Sequence, residues 1–479
     1  MDRATEQNIL QIDIEHNNAD GIGVGLHAGR EVLVFGAFAG ERVEAGIIHR
    51  GRQRWIGRLR RVVKAHPARR RPPCAILDRC QGCPLMDLET SAQQQTRQDL
   101  VRRALREAGL DGIDVPPVHA APQDLGWRTS AKLAIGRNRR GVVIGLYRRG
   151  SHDIVDLRAC PLHHPLINRV IEVAREEIAR QKLPVWNPKQ QRGLLRYLLV
   201  RVSPAFNKAL VTIVTDRRDF NRVNALAGWL KRKVPEVIGI HQNVNASTGN
   251  VILGRETLKM TGAPDLRDRI GPFTIHLGPT SFLQVNPAQA EKMYATIADW
   301  LAPKEREEVL DLYCGIGGIA MHLAARGASV TGIEAVPEAI RHAERNARGN
   351  RLENCRFIAG EVEQELPRLL AEMSAGCPVV VNPPRTGCRE EVLDLIAQHR
   401  PRTLIYMSCN PVTLARDLAL LTGRGFKVEK LEAWDMFPQT AHVECLAKVV
   451  PQEGAKKAQR QGRSKPAASR SRKSRTGRA

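Results

Sequence analysis

Glu308-Val-Leu-Asp-Leu-Tyr-Cys-Gly-Ile-Gly-Gly318 begins as an apolar strand, becomes glycine-rich, and runs into the helical stretch Ile319-Ala-Met-His-Leu-Ala324. Strand, glycine loop and helix in that order form the opening unit of a doubly wound α/β sheet, whose ligands bind beyond the carboxyl ends of the strands. Glycines there let the backbone approach a ligand at the helix amino terminus. Outward from this unit, Val330-Thr-Gly-Ile333 supplies a second strand ending at Glu334, followed by a helix over 337–347. A carboxylate about 20 residues past the loop is placed to grip ribose hydroxyls. Further on, Pro378-Val-Val-Val381 leads into Asn382-Pro-Pro-Arg385, a helical period covers 389–399, and Thr403-Leu-Ile-Tyr-Met407 leads into Ser408-Cys409-Asn410-Pro411. Three strands thus end in three polar loops, and residues 271–451 are predicted to form a mostly parallel sheet covered on both faces.

The chain has 479 residues and 42% hydrophobic content, enough for two or three domains. Its 74 basic and 50 acidic residues leave a formal charge of +24. An excess of this size suits a polyanion, because neutralising phosphates releases counterions. Gln452 to Ala479 accounts for nine of these charges and the rest of the chain for fifteen. No run of about 18 apolar residues occurs, and Met1-Asp-Arg-Ala-Thr-Glu-Gln lacks the basic start and apolar core of a signal peptide. A cytoplasmic, reducing compartment is therefore expected, with the ten cysteines read as thiols or metal ligands before disulfides.

Residues 1–64 alternate short apolar runs with glycines, as in Asp20-Gly-Ile-Gly-Val-Gly-Leu26 and Glu31-Val-Leu-Val-Phe-Gly36, and predict a small β-barrel with a basic far edge at His49 to Arg61. Residues 65–270 read as a mixed α/β domain. They hold a helical segment over 88–110 and the strands Trp127-Arg-Thr-Ser-Ala-Lys-Leu133 and Val142-Val-Ile-Gly-Leu-Tyr-Arg-Arg149. Within this span lie Cys74, Cys80 and Cys83, spaced C-x5-C-x2-C, and a distant Cys160. Four thiolates suit tetrahedral zinc or an iron-sulfur cluster, and spacing alone leans toward zinc. Residues 452–479 are rich in Lys, Arg, Ser, Gly and Ala, and are expected to form a disordered, RNA-attracted tail.

The loop D-x-x-C-G-x-G resembles the first motif of S-adenosylmethionine-dependent methyltransferases. Together with Ser408-Cys-Asn-Pro411, the four cysteines and Asp435-Met-Phe-Pro-Gln-Thr-Ala-His-Val-Glu444, it resembles the RNA (uracil-5-)methyltransferase family, its 23S ribosomal RNA branch most closely. The resemblance spans about Asp20 to Val450. It implies a multidomain α/β protein: an amino-terminal TRAM domain (an OB-like RNA-binding barrel), a central α/β domain carrying a [4Fe-4S] cluster on Cys74, Cys80, Cys83 and Cys160, and a carboxyl-terminal Rossmann-like methyltransferase domain. It also implies an S-adenosylmethionine pocket lined by Gln284, Tyr313, Gly318, Glu334, Glu361 and Asn382. Cys409 would be the nucleophile and Glu444 the base. Thiolate addition at carbon 6 of uracil makes an enolate that attacks an electrophilic methyl group, after which a base removes the carbon-5 proton. Three positions depart from the usual pattern: Asn382 where Asp is common, Glu361 where Asp or Asn is common, and Gln439 where many members carry His.

Methylation of carbon 5 of a uridine in 23S ribosomal RNA is therefore expected, by a monomer with RNA as partner and no membrane association. A transfer RNA uracil-5-methyltransferase shares the chemistry, and a non-catalytic RNA-binding or ribosome assembly factor would share the charge. Retention of Cys409 and Glu444 argues against the latter. Arg385 is read either as a fork for the uracil or a phosphate, or as a structural ion pair. Asn382-Pro-Pro-Arg385 also approaches the N-P-P-Y loop of amino-methyltransferases, but no aromatic stands at Arg385 and that chemistry needs no thiolate.

Overall fold

The computed structural model describes residues 9–149, 151–249 and 251–452. All but the first residue of the expected basic tail lies outside them.

Strands β1 (Ile9–Asn17), β2 (Gly23–His27), β3 (Arg30–Phe35), β4 (Arg42–Arg50) and β5 (Arg54–Lys64) close into a barrel in the order β1-β2-β3-β5-β4. The β3–β5 pair is parallel and the others antiparallel. Period-two alternation sends Ile12, Ile14, Val32, Val34, Val43 and Ala45 inward. Gly25 is required at the β1–β2 contact, since a Cβ there would stand 2.2 Å from the Asp13 carbonyl oxygen. On the barrel rim the guanidiniums of Arg50 and Arg30 lie 4.8 and 5.8 Å from the Trp55 ring.

After α1 (Leu77–Cys80) and α2 (Thr90–Glu107) comes a seven-stranded sheet in the order β12-β11-β10-β9-β6-β7-β8. Its strands are β6 (Ser130–Asn138), β7 (Gly141–Tyr147), β8 (Ile154–Asp156), β9 (Leu195–Ser203), β10 (Lys208–Thr215), β11 (Val237–Val244) and β12 (Glu256–Gly262). Helices α3 (Pro165–Arg180) and α4 (Phe220–Lys233) pack on it. Leu166, Ile167, Val170, Ile171, Ala174 and Ile178 form the buried stripe of α3. Each fully buried Ile or Leu of this kind contributes about 1.5–3 kcal/mol. Trp127 and Arg128, read from sequence as strand, precede β6 and form a loop instead, with Trp127 buried beside Met86 and Leu162.

The hairpin of β13 (Leu266–Ile270) and β14 (Phe273–Leu277) packs with α5 (Pro287–Leu301) into the core of the third unit. That unit alternates β15 (Glu308–Leu312), α6 (Gly318–Ala324), β16 (Ser329–Glu334), α7 (Pro337–Gly349), β17 (Cys355–Ala359), α8 (Val362–Glu372), β18 (Val379–Val381), α9 (Glu390–His399), β19 (Leu404–Ser408) and α10 (Pro411–Gly423). It ends with β20 (Phe426–Trp434) and β21 (Glu444–Pro451). The sheet order is β17-β16-β15-β18-β19-β21-β20, parallel from β17 to β19, with β21 antiparallel to both its neighbours. The order reverses between β15 and β18, which opens a crevice at their carboxyl ends. Helix α2 packs on this unit: Val101, Ala104 and Leu105 share a core with Leu414, Leu418 and Leu421 of α10.

Candidate active site

Strand register brings the two chemical residues together. In the antiparallel β19–β21 pair Ser408 stands opposite Cys445, and Cys409 and Glu444 adjoin that pair, near enough for the Glu444 charge to act on the Cys409 thiol. Opposed residues of such a pair have Cβ atoms about 4.5–5.5 Å apart on one face of the sheet. Immediately after Cys409 the chain turns into α10. The Asn410 side chain caps that helix by accepting from the Val412 N–H at 3.1 Å, and Pro411 takes the first turn. The half-buried Cys409 thus sits at a helix amino terminus, where a thiolate is favoured.

Arg385 is held against this turn. Its carbonyl accepts from Asn410 Nδ2 at 3.0 Å and from Thr413 Oγ1 at 3.2 Å. Its own loop is anchored by the buried Asp417 carboxylate, which accepts from the Tyr406 hydroxyl at 2.5 Å, the Cys388 N–H at 2.9 Å and Arg416 Nε at 2.8 Å. Burial and the charge of Glu444 push the Cys409 thiol up, while the nearby Arg385 guanidinium pulls it down. Glu444 is 1% exposed and its Oε2 has no hydrogen-bond partner. Burial pushes its pKa up to about 8, against the pull of Arg385. A carboxyl that stays protonated at neutral pH beside a cysteine lowers the cost of forming the thiolate.

Cys409 opens onto a cleft of about 350 Å³ walled by the barrel, α2 and the third unit. Asn18 and Asp20 belong to the barrel, Leu100 and Arg103 to α2, and Arg385 and His442 to loops of the third unit. Sequence reasoning missed the barrel and α2 contributions, which carry no local signal. His442 lay within a quoted motif, two residues before Glu444, on the cleft-facing side. Phe282, 69% exposed, stands beside the Gln284 position as a free aromatic face.

The remaining expected cofactor residues follow adjacent strand ends. Tyr313 and Gly318 lie in the loop after β15 and at the start of α6, Glu334 ends β16, Glu361 stands just before α8 after β17, and Asn382 follows β18. Tyr313 adopts φ 62°, a left-handed conformation that a non-glycine residue keeps only where its surroundings impose it. Glu334 turns its carboxylate onto the glycine loop, accepting from the Gly315 N–H at 3.2 Å and the Val336 N–H at 2.9 Å. Those contacts leave further lone pairs for hydroxyl donors, which fits a ribose. Gln284 is buried in the loop before α5, whose Asn286 donates to the Met436 carbonyl at 3.3 Å.

Cys74, Cys83 and Cys160 pack against the small Met86, Trp127 and Leu162 cluster. Burial raises the pKa of both Cys80 and Cys83, with smaller contributions from the charges of Cys160 and Cys74 on Cys80 and of Cys160, Cys80 and Cys74 on Cys83, so the four thiols lie near one another. Among the described residues no group of three or more His, Cys, Asp or Glu side chains is found that could hold a metal ion. Arg128 supplies a cation beside them. Burial lowers its pKa, and the charges that oppose this are those of Cys160 and Cys83.

The tRNA (uracil-5-)-methyltransferase family matches residues 205–449. An uncharacterized RNA methyltransferase of Geobacter sulfurreducens is 40% identical over 467 residues, covering 96% of this chain and 94% of that protein. The chain belongs to the S-adenosylmethionine-dependent RNA uracil-5-methyltransferase family. A second uncharacterized RNA methyltransferase, from Gloeobacter violaceus, is 36% identical over 434 residues, 90% of this chain and 93% of that one. The crystal structure of Pyrococcus abyssi tRNA (uracil-54, C5)-methyltransferase in complex with S-adenosyl-L-homocysteine superposes with a TM-score of 0.73 at 27% identity, covering 92% of this chain and all of that one. Among the described residues of this RNA methyltransferase no helix is long and apolar enough to cross a membrane.

Three buried carboxyls of this methyltransferase share one direction of shift: Glu444 to about 8, Asp311 to about 7 and Asp435 to about 6, each chiefly through burial. A carboxyl raised above its unfolded value stabilises the fold while protonated, and that contribution is lost as pH rises through the folded pKa. Thermal unfolding should therefore show Tm falling between pH 5 and pH 9. Glu444→Gln, which cannot ionise, should lose less, with a difference at pH 9 on the order of a few kcal/mol.

Proposed function

We propose that this enzyme methylates carbon 5 of a uridine in 23S ribosomal RNA through a covalent cysteine–uracil intermediate, with Cys409 as nucleophile and Glu444 as base. The observation that carries the reading is the nearness of Glu444, at the start of β21, to Cys409, which follows β19 and lines the cleft. The Cys409 thiolate adds to carbon 6 of the uracil, and the electron pair of the carbon 5–carbon 6 double bond moves out to oxygen 4 as an enolate. S-adenosylmethionine, when bound, would supply the electrophilic methyl group for carbon 5 and leave as S-adenosylhomocysteine, whose sulfur keeps the bond pair. Glu444 next takes the carbon-5 proton, the carbon–hydrogen pair re-forms the double bond, and sulfur leaves carbon 6 as thiolate. Glu444 has to be ionised by that stage, and the Arg385 guanidinium favours its carboxylate against the effect of burial. Gln284, Tyr313, Gly318, Glu334, Glu361 and Asn382 are assigned to the cofactor, Glu334 to its ribose.

The barrel is assigned as an OB-like TRAM domain that guides RNA to the cleft, on the strength of its parallel β3–β5 closure, its Trp55–arginine face and its cleft residues Asn18, Ala19 and Asp20. Cys74, Cys80, Cys83 and Cys160 are assigned to a [4Fe-4S] cluster, supported by their convergence and by the cation at Arg128. The four-cysteine pattern favours the ribosomal substrate. The likeness to a transfer RNA uracil-54 enzyme supports transfer RNA as the second reading. An RNA substrate of either kind places the enzyme in the cytoplasm.

Cys409→Ala should abolish turnover while S-adenosylmethionine still binds in calorimetry, and full activity in that variant would remove Cys409 from the mechanism. Site-by-site measurement of 5-methyluridine in RNA from a deletion strain should show loss in 23S RNA with transfer RNA unchanged; the reverse pattern would establish the second reading. Anaerobically purified protein should carry about four irons per chain, and stoichiometric zinc without iron would overturn the cluster.

A further inference from the structure

Helix α2 is far from β21 in sequence, yet it grips the hairpin loop 435–443 that delivers Glu444. The fully buried Arg97 sets Nη1 3.1 Å from the Asp435 carboxylate, and its Nη2 donates to the Thr440 carbonyl at 2.7 Å. One turn earlier, Gln93 Nε2 donates to Gln439 Oε1 at 2.9 Å, and Gln93 Oε1 accepts from the Gln439 backbone N–H at 3.0 Å. The loop is therefore tied to one helix at its first residue, its middle and the position beyond. Gln439 is buried with φ 72°, a left-handed backbone that this two-way clasp helps to enforce. The side chain that stands in the place of a histidine thus faces α2 and serves the clasp.

Glu444 has no hydrogen bond through Oε2 to aim its carboxyl, so its direction is set by the backbone that enters β21 from this loop. Cys409 is carried by β19 and the start of α10, to which neither Gln93 nor Arg97 is hydrogen-bonded among the described residues. We propose that Gln93 and Arg97 are positioning residues for elimination: they hold loop 435–443 so that Glu444 meets the carbon-5 proton of the methylated adduct, while addition and methyl transfer proceed without them. The proposal rests on Glu444 as the base. A misplacement of about 1 Å at a reacting group costs on the order of 10²-fold.

The test is single-turnover rapid quench of the full-length chain with radiolabelled S-adenosylmethionine and whichever of the 23S and transfer RNA transcripts the wild type methylates. Methylated RNA–protein adduct and released RNA are separated on denaturing gels. Gln93→Leu and Arg97→Met should form the methylated adduct within about threefold of the wild-type rate and release RNA at least about tenfold more slowly, so that a slow-migrating band builds up. Should Arg97→Met fail to fold, as judged by circular dichroism, Gln93→Leu alone decides. Formation and release falling together would mark a general packing role and overturn the proposal, as would release at the wild-type rate. Glu444→Gln runs in the same series: if it releases RNA normally the base assignment itself fails, and if it stalls while the α2 variants do not, only the positioning role fails.

Discussion

The active site depends on one register. Because β21 enters the sheet antiparallel beside β19 with Ser408 against Cys445, the adjoining residues Cys409 and Glu444 are brought close to each other. A shift of one residue in that pairing would turn Glu444 to the other face of the sheet and leave the thiol without a partner. The pairing is held by apolar side chains buried on both sides, Ile405 and Met407 from β19 and Leu446 and Val449 from β21 among them. Chemistry that needs two groups on one ring is thus secured by the packing of the core.

Around that pair the protein arranges opposing electrostatic pulls. Burial alone would leave Cys409 a neutral thiol, and Arg385, fixed by Asn410, Thr413 and the Asp417 anchor, works against it. The same guanidinium pulls Glu444 down while burial holds it near 8, and the Glu444 charge in turn raises the Cys409 thiol. Only one negative charge is comfortable there at a time, which matches a sequence in which thiolate comes first and carboxylate second.

Much of this was legible in the chain. Parallel strands buried on both faces read as short apolar runs, so the ends of β15, β18 and β19 and the loops that follow them could be placed, and Cys409 with them. The antiparallel insertion of β21 between β19 and β20 could not be read, because hydrophobic pattern marks strands without naming their partners. For α2, the apolar positions Val101, Ala104 and Leu105 indicate a buried stripe but not that it covers α10 of the third unit. The Asn18 and Asp20 contributions to the cleft, and the left-handed backbone at Tyr313 and Gln439, arise from tertiary constraint alone. The meeting of Cys160 with the cluster near residue 80 has spacing as its only sequence signal.

The central claim, that Cys409 is the residue that bonds the uracil, is most directly tested by trapping wild-type enzyme with RNA carrying 5-fluorouridine at the modified position. With no carbon-5 proton to remove, the adduct should persist through proteolysis. Mass spectrometry should then place a methylated fluorouridine on the peptide containing Ser408-Cys409-Asn410. Attachment to Cys314, Cys388 or Cys445, or methylation without any protein-bound nucleotide, would contradict the account.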